Sequence, residues 1–392
     1  MTGQALEGIS VIETASYVTG PYAAMLLADA GAEVVKIESK PDGDPFRSWG
    51  EGSLSPTFSS MNRNKKSLTL DLTKKEGRDV FLDLARSADV IVQNYRPGVV
   101  ERLGIGYETV RDINPRIVYC SISGFGEDGP YRDRPGYDTI GQAMSGLLSL
   151  LTDLEAPKGM GFSISDHITG VFACYGILLA LLARERTGKG QHVQTSLLQA
   201  TFSFISESAA RYFGTGDIPR RQSRVRLAQV YALVAGDGRP FVIHLSSPPK
   251  FWEGLTAAIG RPDLRDDPRF KNKQGRAKHY DELSATLADI VSQGSRDWWL
   301  ERLQEQDVPC CPLNTLEEVI RDPQVQHLGL VGEVEHSRVG RIRLAKGPVR
   351  LSDSPTQLVS PPPLLGEHTD EVLRGLGYGD ERIDQLRRED VI

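Results

Sequence analysis

Three runs at the start of the chain decide its fold class: Gly8-Ile-Ser-Val-Ile-Glu13, Thr19-Gly-Pro-Tyr22 continuing through Ala23-Ala-Met-Leu-Leu-Ala-Asp-Ala-Gly31, and Glu33-Val-Val-Lys-Ile-Glu38. The first and third are short apolar runs of strand length. The second opens on a capping Thr with a Pro in the first turn and stops at a Gly, the punctuation of a helix. Strand, helix and strand within about thirty residues form a βαβ unit, which requires parallel strands and a right-handed crossover.

Working outward, the alternation continues. Glu76–Arg86 is amphipathic at helical spacing, Asp89-Val-Ile-Val-Gln93 reads as a third strand, and Arg116–Ser123 as a fourth after a short helix near Tyr107–Ile113. Helices are expected over Thr139–Leu151 and Leu197–Phe213, with a further strand at Gly190–Ser196. This is an α/β, Rossmann-like, doubly wound pattern. No G-x-G-x-x-G follows the first strand, so the fingerprint of a nicotinamide-dinucleotide site is missing.

The 392 residues exceed one ordinary core and imply two domains. The character changes at 215–229, a polar stretch with Arg220, Arg221, Arg224 and Arg226 that reads as a linker and more readily as solvated charge than as an anion site. Val230–Val234 and Phe241–Leu245, joined through Gly236-Asp-Gly238, form a hairpin. Helices near Pro249–Ile259, His279–Ser292 and Ser295–Gln306 complete a small α/β domain, 230–325. Val331–Val334, Arg341–Leu344 and Val349–Leu351 then read as strands, followed by a Pro-rich approach and two polar helices.

Composition narrows the function classes. With 39% hydrophobic and 25% charged residues the chain has the make-up of a soluble globular protein. A formal net charge of −6 and no long basic run argue against binding driven by nucleic-acid phosphates. A local basic site for a phosphorylated cofactor is compatible with that balance. The first residues lack the charged and apolar regions of a signal peptide. The four cysteines (Cys120, Cys174, Cys310, Cys311) show no C-x-x-C spacing and no Cys/His cluster, so no metal site is expected and reduced cytosolic thiols are the default.

Gly161-Phe-Ser-Ile-Ser-Asp166-His-Ile-Thr-Gly170 leads into the most apolar run of the chain, Ile168–Leu182, which is shorter than a membrane span. A helix apolar on every side is expected to be buried. Gly170 and Gly176 weaken it by roughly 1 kcal/mol each and so point to close packing. Asp166 stands where an N-cap would, and two readings stay open on pattern alone: a cap worth about 1 kcal/mol, or a reactive carboxylate at the positive end of a helix. Ser196 and Ser246–Ser247 lack the G-x-S-x-G context of a nucleophilic serine.

Ordered motifs over nearly the whole chain resemble the class III CoA-transferases, the family that includes formyl-CoA:oxalate, carnitine and bile-acid CoA-transferases. They are Leu6–Glu13, Gly20-Pro21, Gly31–Glu38, Asn62–Asp71, Ala88-Asp-Val-Ile-Val-Gln-Asn-Tyr-Arg-Pro-Gly98, Leu103-Gly104, Gly124-Phe-Gly-Glu-Asp-Gly-Pro130, Tyr137-Asp138, Ala180–Gln191 and Pro363–Leu373. The resemblance implies a large Rossmann-like domain built from 1–214 and 326–392, linked by 215–229 to the small domain. It also implies ring-shaped chains interlocked as a cytoplasmic homodimer.

The resemblance further implies a reaction. Asp166 aligns with the family's nucleophile, which exchanges acyl groups and CoA between two carboxylic acids through a mixed anhydride and an aspartyl-CoA thioester. No metal takes part. Val18, Tyr137 and Asp138 take substrate-side positions. Asn94 and Tyr95 contact CoA, Arg102 lies near its phosphates, Leu70 and Leu72 flank the adenine, and Ser39 stands where some relatives carry an Arg, with Lys40 as its substitute.

Three departures from the family pattern limit what carries over. Val18 replaces a Gln of the formyl-CoA branch, so oxalate is not expected as acceptor. No tetraglycine loop is present; Gly236 and Gly238 are the nearest candidates and read better as a hairpin turn. Racemases of the same fold carry a His at the position of Tyr137, and Tyr is a poor proton shuttle, which leaves a racemase, or a non-catalytic CoA-binding protein, as the alternative.

Overall fold

A computed structural model of the chain describes residues 3–50, 54–246 and 248–392; Ser247 lies outside the described residues. The chain divides into two compact units. The first comprises Met1–Leu148, Gly159–Ser206 and Gln326–Ile392; the second comprises Ser149–Lys158 and Glu207–Val325.

The first unit is built on a six-stranded sheet: β1 (Ser10–Glu13), β2 (Glu33–Glu38), β3 (Lys65–Thr69), β4 (Val90–Gln93), β5 (Val118–Ser123) and β6 (His192–Ser196). The strand order is β3-β2-β1-β4-β5-β6, and every pairing is parallel. This is the doubly wound order, whose direction reverses between β1 and β4; ligands bind at such a switch point, outside the carboxyl ends of the strands.

Strand β3 escaped the sequence reading. Its two lysines break the apolar pattern, yet Lys65 is fully buried, with Nζ 2.7 Å from Oε2 of Glu13. An ion pair, rather than apolarity, lets this strand lie inside.

The helix expected over 168–182 runs from Ile164 to Thr187 and ends on Gly188 in the left-handed region, φ 69°. One face, with Ala173, Cys174, Ile177, Ala180 and Leu181, packs into a core with Val11, Leu27, Val90, Val118 and Cys120. Gly170 and Gly176 serve close packing. A Cβ on Gly170 would lie 2.8 Å from the carbonyl O of Thr19, and one on Gly176 would lie 2.8 Å from Cγ1 of Val193.

The expectation of burial on every side is corrected. Val171, Tyr175, Leu178, Leu179 and Leu182 form an exposed apolar face. By length and composition alone this helix could also cross a membrane, which corrects the shorter reading of the run.

Other boundaries differ for local reasons. Helix Thr19–Asp29 starts at Thr19 and is capped by Val18 without a side-chain bond, so Thr19 is not the cap. The expected helix 139–151 is broken into Asp138–Met144 and Leu147–Leu151 around Gly146, whose φ of 89° no helix contains. The expected helix 197–213 is interrupted at Ile205. No strand forms at Val349–Leu351. β10 (Val331–His336) and β11 (Gly340–Ala345) pair as an antiparallel hairpin in the first unit.

The second unit holds β7 (Val230–Val234), β8 (Pro240–His244) and β9 (Cys310–Pro312), an antiparallel sheet in the order β7-β8-β9. Gly238, at φ 77°, turns the hairpin. The core gathers Tyr231, Phe241, Trp252, Leu283 and Trp299. Residues 215–229 lie in this unit and include the helix Ser223–Ala228.

Candidate active site

A cavity of about 290 Å³ opens at the carboxyl edge of the first unit's sheet. Its walls are the segment Ser16–Thr19 after β1, Asn94–Pro97 after β4, Ile122–Gly124 at the end of β5, the loop carrying Arg132 and Arg134–Tyr137, and Asp166. The switch point between β1 and β4 therefore faces the cavity, as the strand order requires.

Asn94 shapes the first wall. Its Oδ1 accepts the N–H of Ser16 at 2.9 Å, and its Nδ2 donates to the Ser16 carbonyl at 2.7 Å and to Oγ1 of Thr19 at 3.1 Å. A side-chain amide bonded both ways to one residue imitates a strand partner, so the chain leaving β1 is held open. The next residue, Tyr17, sits in the left-handed region at φ 66°, and its N–H donates to Oδ1 of Asp44 at 3.3 Å. That bent backbone aims the Tyr17 ring edge-on at Phe46 and at Tyr137, with centroids 5.4 and 5.9 Å apart.

Asp166 is the third residue of the helix Ile164–Thr187, whose N-cap is Ser163. It is therefore a first-turn carboxylate and not the cap. Its N–H donates to Oδ1 of Asp138 at 3.1 Å. Burial, and then the charge of Asp138, push the Asp166 carboxyl up to about 7. Among the described residues neither acid has an ion-pair partner. His167 is turned away: Nδ1 lies 2.7 Å from the Ser163 carbonyl and the ring stacks on Phe162 at 5.4 Å.

The rim is cationic. Arg132 Nε donates to the Glu127 carbonyl at 2.8 Å, and the guanidinium of Arg134 stacks on the Tyr131 ring at 3.9 Å. The guanidinia of Arg102 and Arg132 converge over Gly98, where a Cβ would lie 3.3 Å from Nη1 of Arg102 and 3.5 Å from Nη2 of Arg132. Planar, weakly hydrated cations of this kind suit phosphate or carboxylate.

Of the residues named from sequence, Val18, Asn94, Tyr95, Tyr137 and Asp166 meet around this cavity, and Asp138 adjoins it through its bond to Asp166. Ser39, Lys40, Leu70, Leu72 and Arg102 do not line it. Lys40 pairs with Asp390 at 3.0 Å, while Leu70 and Leu72 are buried in the core just past β3. Ser39 follows β2, so these positions share the sheet's carboxyl edge with the cavity.

Sequence reasoning passed over Tyr17, Arg132, Arg134 and Gln142. The first three sit in loops at that edge, and the doubly wound topology was the signal that could have found them. In the second unit, Arg220, Arg221, Arg224 and Arg226 pair with Glu155, Asp153, Glu207 and Asp281 at 3.1, 2.9, 3.5 and 2.7 Å.

With this geometry in hand, known proteins are informative. Residues 6–369 match the model of CoA-transferase family III. The formyl-CoA:oxalate CoA-transferase of Streptomyces coelicolor is 36% identical, over 100% of both chains. The succinyl-CoA:glutarate CoA-transferase of Homo sapiens is 33% identical, covering 99% of this chain and 90% of that one. The crystal structure of a CAIB/BAIF family protein from Brucella suis superposes with a TM-score of 0.85 at 33% identity, covering 95% of this chain and 100% of that one.

Proposed function

Because this chain belongs to CoA-transferase family III, we propose that it moves CoA from an acyl-CoA to a free carboxylic acid through covalent intermediates on Asp166. The observation that carries the reading is a half-buried carboxylate with no cationic partner among the described residues, at the mouth of a cavity rimmed by arginines. Ionised Asp166 attacks the thioester carbonyl, the C–S bond breaks, and CoA leaves as the thiolate. The product is a mixed anhydride. The thiolate attacks the aspartyl carbonyl of that anhydride, expelling the donor acid and leaving aspartyl-CoA. The acceptor carboxylate attacks this thioester to form a second anhydride, and the released thiolate attacks the acceptor's carbonyl, restoring Asp166. Each step exchanges one activated acyl bond for another, so no other source of activation is needed. An aspartate with a raised pKa is a stronger nucleophile once ionised, and the first-turn N–H groups favour the ionised form.

The CoA phosphates are proposed to meet Arg102 and the rim arginines, with Asn94 and Tyr95 below them and Ser39, Lys40, Leu70 and Leu72 along the adenine side. Val18, Tyr137 and Asp138 would bound the acyl group. A small dicarboxylate is the proposed acceptor class: the rim offers cations for a second carboxylate, and the human relative's printed name pairs succinyl-CoA with glutarate. Incubation with succinyl-CoA followed by hydroxylamine should convert Asp166 to a hydroxamate, located by peptide mass spectrometry. Turnover with Asp166 unmodified would refute the mechanism.

We also propose that the protein works as a cytoplasmic homodimer, interlocked as the family resemblance implies. Support comes from the exposed face Val171, Tyr175, Leu178 and Leu182, whose spacing of three and four residues is that of one helix face. An apolar stripe of this kind marks an interface. Light scattering should give twice the chain mass, and Leu178→Arg should lower it.

A further inference from the structure

The first N–H groups of a helix have no partner within it, and Ser163, the N-cap before Asp166, supplies no side-chain bond. Asp138 fills that role from another helix, with Oδ1 accepting the N–H of Asp166 at 3.1 Å. The other oxygen, Oδ2, accepts from Nε2 of Gln142, one turn further along helix Asp138–Met144. Gln142 is fully buried, and the same Nε2 also donates to the Phe162 carbonyl at 3.2 Å.

These two bonds fix the amide's orientation, because turning it over would set Oε1 against two acceptors. The chosen orientation leaves Oε1 buried with no protein hydrogen-bond partner among the described residues, which costs the desolvation of an acceptor. A Gln–Asp pair at this spacing stabilises a helix by less than that cost. Local helix stability therefore does not explain Gln142; what the residue joins does. It ties Asp138 to the chain entering the nucleophile's helix, so Phe162 and Asp166 are held from one point.

We propose that Gln142 is a positioning residue for acyl transfer, aligning Asp166 through Asp138 on one side and the Phe162 carbonyl on the other. The inference rests on the reading of Asp166 as nucleophile. Gln142 does not line the cavity, so its loss should act on the chemical step rather than on acyl-CoA binding.

Gln142→Leu keeps the volume and removes the donor. Its kcat, and the rate of hydroxylamine-trappable acylation of Asp166, should fall by about 10²-fold, the effect of misplacing a reacting group by about 1 Å, while KM for succinyl-CoA stays within about threefold. Asp138→Asn keeps an acceptor for the Asp166 N–H but opposes the Gln142 donor with another donor. Since both variants break one link, D138N/Q142L should be no slower than D138N.

Wild-type kcat in Q142L, a loss confined to KM, or additive losses in the double variant would each overturn the proposal. If Q142L does not fold, D138N alone decides, because an unchanged kcat there also overturns it. Wild-type protein that turns over without modification of Asp166 refutes the nucleophile instead. Wild type modified at Asp166 alongside an unimpaired Q142L refutes only the positioning role.

Discussion

Two clusters of acidic side chains stand at the carboxyl edge of the same sheet, and they differ in how their charge is met. In the first, Glu13, Asp44 and Glu38 face Lys36, Lys65 and Arg47. Lys36 Nζ lies 2.7 Å from Glu13 and 3.0 Å from Asp44, Lys65 Nζ lies 2.7 Å from Glu13, and Arg47 Nη2 lies 2.6 Å from Glu38. All six are buried, and three negative charges meet three positive ones. In the second, Asp138 and Asp166 face each other, with cations only at the rim.

The pKa shifts follow. Burial pushes the Glu38 carboxyl up, but the bonds from Arg47 and the charge of Lys36 leave it below the usual range. Burial, joined by the charge of Lys36, pulls Lys65 down to about 8, against the pull of Glu13. Asp166 has no cation among the described residues to offset burial, the charge of Asp138 adds to it, and the carboxyl rises to about 7. Balanced charge makes a scaffold, and unbalanced charge makes a group ready to react. The two are joined, because Asp44 also holds the backbone of Tyr17 in the cavity wall.

The largest expected effect tests the second cluster. Asp166→Ala should lower turnover by a factor on the order of 10⁴–10⁶, the scale of losing a covalent nucleophile, measured by CoA product formation. Asp166→Asn should also raise stability, with a definite sign. An acid whose folded pKa lies above its unfolded one binds its proton more tightly in the folded state, so ionisation costs stability as pH rises from about 4 through about 7. The variant's gain in thermal midpoint should appear at pH 8 and vanish at pH 4; a gain at both would deny that Asp166 is strained by its charge.

The first cluster should behave in the opposite way. Glu13→Gln takes from buried Lys65 its ion-pair partner and leaves Lys36 with Asp44, and should cost about 3–5 kcal/mol in urea unfolding; a neutral result would mean that water reaches the network. Next in size, the acylation rate should rise about tenfold between pH 6 and pH 8, as Asp166 ionises around 7. A flat profile would break the contrast between the clusters. The smallest effect is expected for Lys40→Ala: its pair with Asp390 is largely exposed, so stability should change by less than about 1 kcal/mol, leaving any rise in KM for acyl-CoA as a direct report on CoA contact.

Much of this was legible in the chain itself. The βαβ start, β4, β5, β6, the hairpin of β7 and β8 and the Gly188 stop of the long helix follow from apolar periodicity and from Gly and Pro punctuation, which are local properties. Motifs such as those around Asn94 and Tyr137 carried the family, and the family then singled out Asp166. Strand β3 was hidden because Lys65 and Lys66 look exposed until Glu13 is brought beside Lys65 from over fifty positions away. Gly146 and Ile205 broke helices that periodicity ran through, since a hydrophobic stripe can pass over a kink. The arginines at the rim read as loop charge, because nothing local says which way a loop faces.

What the sequence determined alone was the α/β architecture, the family and one carboxylate worth singling out. Only the tertiary structure decided what surrounds that carboxylate. Asp138 arrives from 28 residues away, and among the described residues no cation pairs with Asp166 and no protein group answers the buried Oε1 of Gln142. Propensity and periodicity act over a few residues, whereas burial and the electrostatic surroundings of a charge are sums over everything folding brings near it.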